Sequence, residues 1–382
     1  MPTDLLKLTN IFSITTDPRL QRGFAQIIHS LISTKSCIIS EWARHAYNFA
    51  AFIKKCYRFF RNPRVNWKTS QTILQFLLPR FDKKKYIPVL IDPSFIENKT
   101  IGALTKTRAD QVKAKKGFYL LSAALPVKGR AISFFQHCWR NTQINYLVED
   151  SFNKLIRRQL IKITVLIRSG LSKAVFIMDR GFGYDFFIKT FIEMKIKYVV
   201  RIRDLNTNVI WIKGNGRRKK CHLRDLVERV SNEPIMFKIL YKGSTPTNVV
   251  VSKRGKGAWV LATDLNYVDE AIKLYAKRMK IEEAFKDWKS TGFDIEKMLI
   301  RQWDLVPKLI WCVVIAHMIL YLLGEIIARS KKYRHLLKKF IQKKENLSYV
   351  QLAWKTWLYD FQSLKHFINH LIPILQPYAE TL

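Results

Sequence analysis

"KAVFIMDRGFGYDFFIKTFIEMKIKYVVRIR", residues 173–203, changes its apolar period twice within one short stretch. Ala174–Met178 is an unbroken apolar run of strand length, and Asp179, Arg180 and two glycines end it. "YDFFIKTFIEMK" then places its apolar residues at helical spacing, and "IKYVVRIR" returns to a β-type run. Strand, helix and strand in that order call for a sheet with a helix packed on it.

The neighbouring stretches enlarge this unit. "KYIPVLIDPS", residues 85–94, predicts a short strand over Tyr86–Ile91 that ends in Asp92 and a turn at Pro93. "KKGFYLLSAALPVKGRAISFFQHCW", residues 115–139, predicts two strands around a Lys128–Gly129 turn. "NTQINYLVEDSFNKLIRRQLIKITVLI", residues 141–167, has the spacing of an amphipathic helix. The resulting order, β-β-β-α-β-α-β, is a mixed α/β fold: one mixed sheet with helices on it.

Three further regions flank or interrupt this core. Residues 1–84 have helical apolar spacing with cations between, which fits a DNA-binding region and equally a small bundle with a solvated basic face. Residues 204–265 are rich in Gly, Thr, Asn and Val and read as a β-rich insertion with basic turns. From about residue 267 the pattern is helical to the end. The core thus spans 85–203 and 266–300, with a helical C-terminal region, 301–382, as a possible dimerisation element.

Charge narrows the partners. The 382 residues carry 67 Lys and Arg against 29 Asp and Glu, a formal net charge of +38. A folding chain, 48% hydrophobic, tolerates such self-repulsion more easily beside a polyanion. The five cysteines form no C-x-x-C pair and the eight histidines show no ligand spacing, so reduced thiols and no zinc site are expected. The N-terminal stretch lacks a secretory signal pattern, and a cytoplasmic location is expected. "LIWCVVIAHMILYLLG", 309–324, is 16 residues without a formal charge, shorter than the roughly 20 that a membrane span needs. It reads as a buried core helix, with no membrane partner.

Two acids stand at predicted strand ends, Asp92 and Asp179. A third stands in "YAKRMKIEEAFKDWK", residues 275–289. At about 100° per residue, Tyr275, Arg278, Glu282 and Lys289 fall within about 60° of a helix surface, and Lys286 lies near them. Leu274, Ile281, Phe285 and Trp288 form the adjacent apolar stripe, while Glu283 points about 100° away from Glu282. A solvated face with an Arg278–Glu282 pair accounts for this pattern. So does a carboxylate kept ionised among cations to hold hard metal ions beside a phosphate.

Tyr275, Arg278, Glu282 and Lys289 reproduce a Y-(2)-R-(3)-E-(6)-K spacing. This resembles the signature of bacterial insertion-sequence DDE transposases of the fourth insertion-sequence family. "VLIDPS" resembles that family's first-Asp segment, through Asp92, and "FIMDRGFG" its second, through Asp179. The resemblance covers about residues 85–325 and includes a β-rich insertion between the second Asp and the Glu.

The resemblance implies a ribonuclease-H-like core in which Asp92, Asp179 and Glu282 are catalytic and bind two Mg²⁺ ions, for which Mn²⁺ can substitute. It implies a transposase of a mobile element that cuts transposon terminal repeats and joins them to target DNA, as a homodimer on paired ends in a bacterial nucleoid, through a hairpin intermediate of cut-and-paste transposition. Tyr275, Arg278 and Lys289, with Lys286 and Arg180, would be DNA contacts. Trp259, at the head of "WVLAT", would hold an extruded base, although a strand tryptophan is also an ordinary core residue. A ribonuclease-H-like nuclease without strand transfer, and a non-catalytic DNA-binding protein of transposase descent, are the alternatives.

Overall fold

The computed structural model describes residues 15–44, 46–67, 69–100, 104–105, 115–140, 151–254, 257–329 and 347–359, with residues 6, 9–10 and 12 before them. The N-terminal region is helical, as its spacing predicts. Helix α1 (Pro18–Thr34) starts at Asp17, whose carboxylate accepts from the Arg19 amide at 2.8 Å, with Pro18 in the first turn where no amide is needed. Helices α2 (Ile39–Trp42), α3 (Phe49–Arg61) and α4 (Ser70–Leu77) follow. Asn48 caps α3 by accepting from the Ala51 amide at 2.9 Å. Phe24, Phe59, Phe60 and Trp67 pack ring on ring between these helices.

Eleven strands among the described residues form one sheet. They are β1 (Ile87–Glu97), β2 (Leu104–Thr105), β3 (Lys115–Pro126), β4 (Ala131–Arg140), β5 (Ala174–Met178), β6 (Lys197–Arg201), β7 (Asn208–Ile212), β8 (Arg218–His222), β9 (Ile235–Tyr241), β10 (Thr245–Arg254) and β11 (Gly257–Thr263). The spatial order is β2-β3-β1-β5-β6-β11-β10-β9-β7-β8, with β4 also on β3. Among the described strands only β1–β5 and β5–β6 are parallel. Helices α5 (Ser151–Leu166) and α6 (Asp185–Glu193) lie in the connections that lead into β5 and β6. The parallel centre is apolar on both faces: all five residues of β5 are buried, as its unbroken apolar run requires.

Two strand expectations change. Asp92 and Pro93 do not end the first strand, because β1 runs on to Glu97, paired with β3 through Pro93↔Leu121. On its other side β5 is paired only as far as Ile91↔Met178. Beyond that point β1 has no strand partner on that side among the described residues, and a residue without an amide hydrogen is tolerated there. Residues 204–265 contain the expected strands and one short helix, α7 (Leu223–Glu228). They form no separate layer: β11 pairs with β6 through Leu261↔Arg201, so the region extends the same sheet.

The expected helix over 275–289 is divided. Helix α8 (Val268–Tyr275) and helix α9 (Met279–Lys289) are joined by one 3₁₀ turn, Ala276–Arg278. After α9 the chain is not helical throughout, and residues 290–305 contain only the short turns Ile295–Lys297 and Trp303–Leu305. Helices α10 (Val306–Arg329) and α11 (Tyr349–Tyr359) complete the described chain. The start of the predicted helix at 141–150, and residues 330–346 and 360–382 of the predicted C-terminal helical region, lie outside the described residues.

Helix α10 contains the apolar run 309–324. It is long and apolar enough to cross a membrane, but 89% of its apolar window is buried inside the fold. It packs against β4, α1 and α11. Gly324 lets the Tyr349 carbonyl of α11 approach where a Cβ would collide with it. This is the central core helix that the sequence predicts, and each buried Leu, Ile or Val contributes about 1.5–3 kcal/mol.

Candidate active site at the ends of the parallel strands

Asp92 and Asp179 follow Ile91 and Met178, the last paired residues of adjacent parallel strands. Neighbouring strands lie about 4.8 Å apart, so the register alone sets the two carboxylates side by side. Asp179 ends β5 as expected. Its Oδ1 accepts from the Arg180 amide at 2.5 Å and caps a 3₁₀ turn, Arg180–Phe182. Phe182 is buried, and Gly183 is pressed against the Arg201 carbonyl, which would lie 2.5 Å from any Cβ placed there. The "DRGFG" segment therefore holds Asp179 rigidly against β6.

Asp92 is held differently, by pairing with Ser122 inside β1–β3. Ser122 pairs in turn with Gln136 of β4, so a polar row crosses three strands on one face. Within it Gln136 donates to Ser122 at 3.2 Å, and the Ser122 hydroxyl lies 2.8 Å from that of Ser133. Burial pushes the Asp92 carboxyl up to about 7; Arg278 opposes the shift, the Asp179 and Glu282 charges add to it, and Lys289 opposes it. The third acid therefore acts electrostatically on the first, across a strand-to-helix distance.

Helix α9 carries Glu282 to this edge because Ile281, Phe285 and Trp288 bury the stripe beside it. Arg278 donates a hydrogen bond to Glu282, and its Nη1 lies 3.8 Å from Asp179 Oδ2. One nearly buried guanidinium thus ties the second acid to the third. Lys289 donates to the Phe95 carbonyl of β1 at 2.7 Å and approaches Glu296 at 3.7 Å. Burial lowers the Lys289 pKa, against the pull of Glu296 and Asp92.

Tyr275 is buried, at 3% exposure, and not on an open face. Its ring meets that of Trp259 edge-on at 4.9 Å, and Arg278 lies 6.0 Å from its centre. Trp259 is half-buried on β11, opposite Ser252. Six of the sequence-predicted residues thus come together around Arg278: Asp92, Asp179, Glu282, Tyr275, Lys289 and Arg278 itself, with Trp259 behind Tyr275. Arg180 and Lys286 are exposed and make no side-chain ion pair with this group among the described residues. Glu283 turns away, with its carboxylate 3.5 Å from Arg130.

Sequence reasoning missed the residue that anchors α9. Asp287, 2% exposed, accepts from Arg130 Nε at 2.6 Å and Nη2 at 3.2 Å, and faces His317 Nε2 at 3.3 Å. Arg130 comes from the β3–β4 turn and His317 from the core helix α10. A histidine inside an apolar run, and a third acid one helical turn beyond Glu282 and Glu283, were the available signals.

Among the described residues no group of three His, Cys, Asp or Glu side chains is close enough to share a metal ion as it stands. The donor set nonetheless fits a hard divalent cation: three carboxylates, one of them, Asp92, half-buried and without an ion pair among the described residues. In this conformation Arg278 provides the positive charge between two of them. Cys37, Cys56, Cys138 and Cys312 are buried and form no disulfide.

No curated protein matches the chain. A family model described as "Transposase DDE domain" matches residues 84–319, from just before β1 into α10. That span holds both strand acids, the β-rich region and all of α9. The strand order, with its parallel centre and antiparallel β3–β1 flank, is the mixed α/β arrangement of the ribonuclease-H-like fold of these domains. The chain belongs to the transposase DDE domain family, whose members cut and join DNA.

Proposed function

We propose that this transposase cleaves the ends of an insertion sequence and joins them to target DNA, with Asp92, Asp179 and Glu282 as its catalytic carboxylates. The observation that carries the reading is the meeting of Asp92 and Asp179 on adjacent parallel strands with Glu282 tethered to Asp179 through Arg278. The three acids would hold two Mg²⁺ ions, which supply Lewis acidity at the attacking and leaving oxygens of phosphoryl transfer.

The remaining steps belong to the chain's own residues. Water, or the 3′-hydroxyl that the first cut releases, attacks phosphorus, and the bond from phosphorus to the outgoing 3′-oxygen breaks. Arg278, Tyr275 and Lys289 surround the phosphate. Arg278 is the mobile element of the set, because it must loosen its hold on Glu282 for that carboxylate to turn toward a cation. The Y-(2)-R-(3)-E-(6)-K spacing supports placement in the fourth insertion-sequence family and, with it, a hairpin route. Trp259, half-buried against Tyr275, is the aromatic platform available for a base turned out of the duplex. Two element ends favour a homodimer.

The test uses the full-length protein, Mg²⁺, a labelled duplex carrying the sequence that flanks the gene, and a supercoiled plasmid. Joined products are expected, with a hairpin on the flank or element end before joining. Cuts without joining would make the chain a nuclease, and an unaltered substrate would leave it a DNA-binding protein.

A further inference from the structure

We propose that a cationic groove between α3 and residues 299–302 is a second contact for DNA, a binding site for the phosphate backbone of the duplex outside the active site. Lys54, Arg58 and Arg61 line one wall from successive turns of α3, and Arg301 and Gln302 line the other, with Tyr57 between them. Lys54, Arg58 and Arg301 are exposed, and among the described residues none of the three is in an ion pair. No carboxylate of the described residues lines the groove.

A solvated basic face would normally be convex and interleaved with acids. This one is concave, is built from two distant parts of the chain, and is held in shape by polar contacts. Arg61 donates to the Gln302 side chain from Nε at 3.2 Å and Nη2 at 2.8 Å, and its guanidinium lies over the Tyr57 ring at 5.8 Å. Lys308 closes the end of α3 by donating to the Phe60 carbonyl at 2.6 Å. Arg61 is therefore a structural member of the groove, while Lys54, Arg58 and Arg301 remain available to an anion.

The groove is also rigidly registered to the strand that carries Asp92. Asn98, just past β1, donates from Nδ2 to the Glu296 and Met298 carbonyls, both at 3.0 Å, and so fixes the backbone that leads into Leu299–Gln302. Asn98 lies six residues beyond Asp92, about 20 Å along an extended strand. Phosphate contacts of this kind set register and carry no sequence information.

The choice of DNA as occupant rests on the family assignment and on charge, and not on the proposed catalytic residues. The experiment accordingly measures binding alone, in EDTA. A labelled mixed-sequence duplex of about 30 base pairs is titrated with the full-length protein at several KCl concentrations. Removing one cation that neutralises a phosphate lowers the slope of log K against log salt by about 0.9. The triple variant Lys54→Gln/Arg58→Gln/Arg301→Gln is expected to lose about 2–3 from that slope and on the order of 10²-fold in affinity at about 0.1 M salt.

The control carries the same charge change on a convex helix face with similar spacing: Lys154→Gln/Arg158→Gln/Lys162→Gln, on α5. It is expected to lose less than about one unit of slope. Equal losses in the two triples would mean that net charge alone acts, and would overturn the groove; so would an unchanged slope in the first. Should that triple fail to fold, Arg301→Gln alone is expected to lower the slope by about 0.9. A retained slope in that single variant overturns the proposal equally. Loss of cleavage in an Asp92→Asn protein that binds normally would leave the groove untouched.

Discussion

Arg278 reaches Asp179 across the gap between α9 and β5, with 3.8 Å between Nη1 and Oδ2, while its other terminal nitrogen is bonded to Glu282. The guanidinium neutralises, without metal, a site that would otherwise hold three like charges. It is the strongest influence holding the Asp92 carboxyl down against burial. Replacing it by alanine should therefore lower the melting temperature of the metal-free protein. It should also enlarge the rise in melting temperature that Mg²⁺ produces, since the ion then meets less competition at the carboxylates. Thermal melts with EDTA and with Mg²⁺ measure both. An equal Mg²⁺ shift in wild type and Arg278→Ala would show that the arginine does not occupy the cation's place.

Isosteric removal of charge separates the acids from their neighbours. Asp92→Asn, Asp179→Asn and Glu282→Gln should each lower single-turnover nicking by about 10³-fold or more, with DNA affinity retained. Glu283→Gln, on the Arg130 side of α9, should stay within about threefold. Nicking at near wild-type rate in any of the first three removes that residue from the catalytic set.

The buried Asp287 network governs the stability of the helix that carries Glu282. Breaking one partner of a buried pair costs about 3–5 kcal/mol, so Asp287→Ala or Arg130→Ala should shift urea unfolding by that order. Burial alone would raise the Asp287 pKa, yet hydrogen bonds and charges from His317 and Arg130 leave it below the ordinary 3.8. A depressed carboxyl contributes stability that is whole above its unfolded pKa and is lost as pH falls through the folded value. The advantage of wild type over Asp287→Asn should thus be constant from about pH 5 upward and shrink below about pH 4. Paired urea melts at about pH 7, 5 and 3.5 decide it, and a gap that widens in acid would contradict the assignment.

Trp259 and Tyr275 meet edge-to-face at 4.9 Å, so truncating Trp259 removes both a platform and a packing contact. Trp259→Ala should slow hairpin formation at least about tenfold more than first-strand nicking, because aromatic stacking on a base is worth about 1–3 kcal/mol. Gel resolution of nicked and hairpin products gives the two rates separately. Equal slowing of the two would assign the tryptophan to packing.

Gly324 tests the core helix. Its missing Cβ is the space occupied by the Tyr349 carbonyl of α11. Gly324→Ala should destabilise the protein by about 1–3 kcal/mol through overpacking, despite the better helix propensity of alanine. An unchanged or raised melting temperature would mean that α11 shifts without cost.

Much of the fold was legible in the chain because its signals are local. Apolar runs of strand length, helical spacing and the Lys128–Gly129 turn each report a few neighbouring residues, and they reappear as β5, β6, α6 and the β3–β4 hairpin. The "DRGFG" segment and the spacing around Glu282 were visible for the same reason, as were the burial of α10 and the turning-away of Glu283.

The rest depends on which segments meet, and no local pattern encodes that. Asp92 reads as a strand end in sequence, but β1 continues past Pro93 because β3 supplies partners on one side after β5 has stopped on the other. The β-rich stretch reads as an insertion, but β11 joins β6 and makes it part of the one sheet. Asp287 reads as one more charge on a helix; only the tertiary structure brings Arg130, 157 residues away, and His317 to it. Sequence by itself determined the periodicity, the charge and the three acid-bearing motifs of this transposase. Tertiary structure decided that Arg278 stands between Asp179 and Glu282, because the charge balance of a site is set by distances through space and not along the chain.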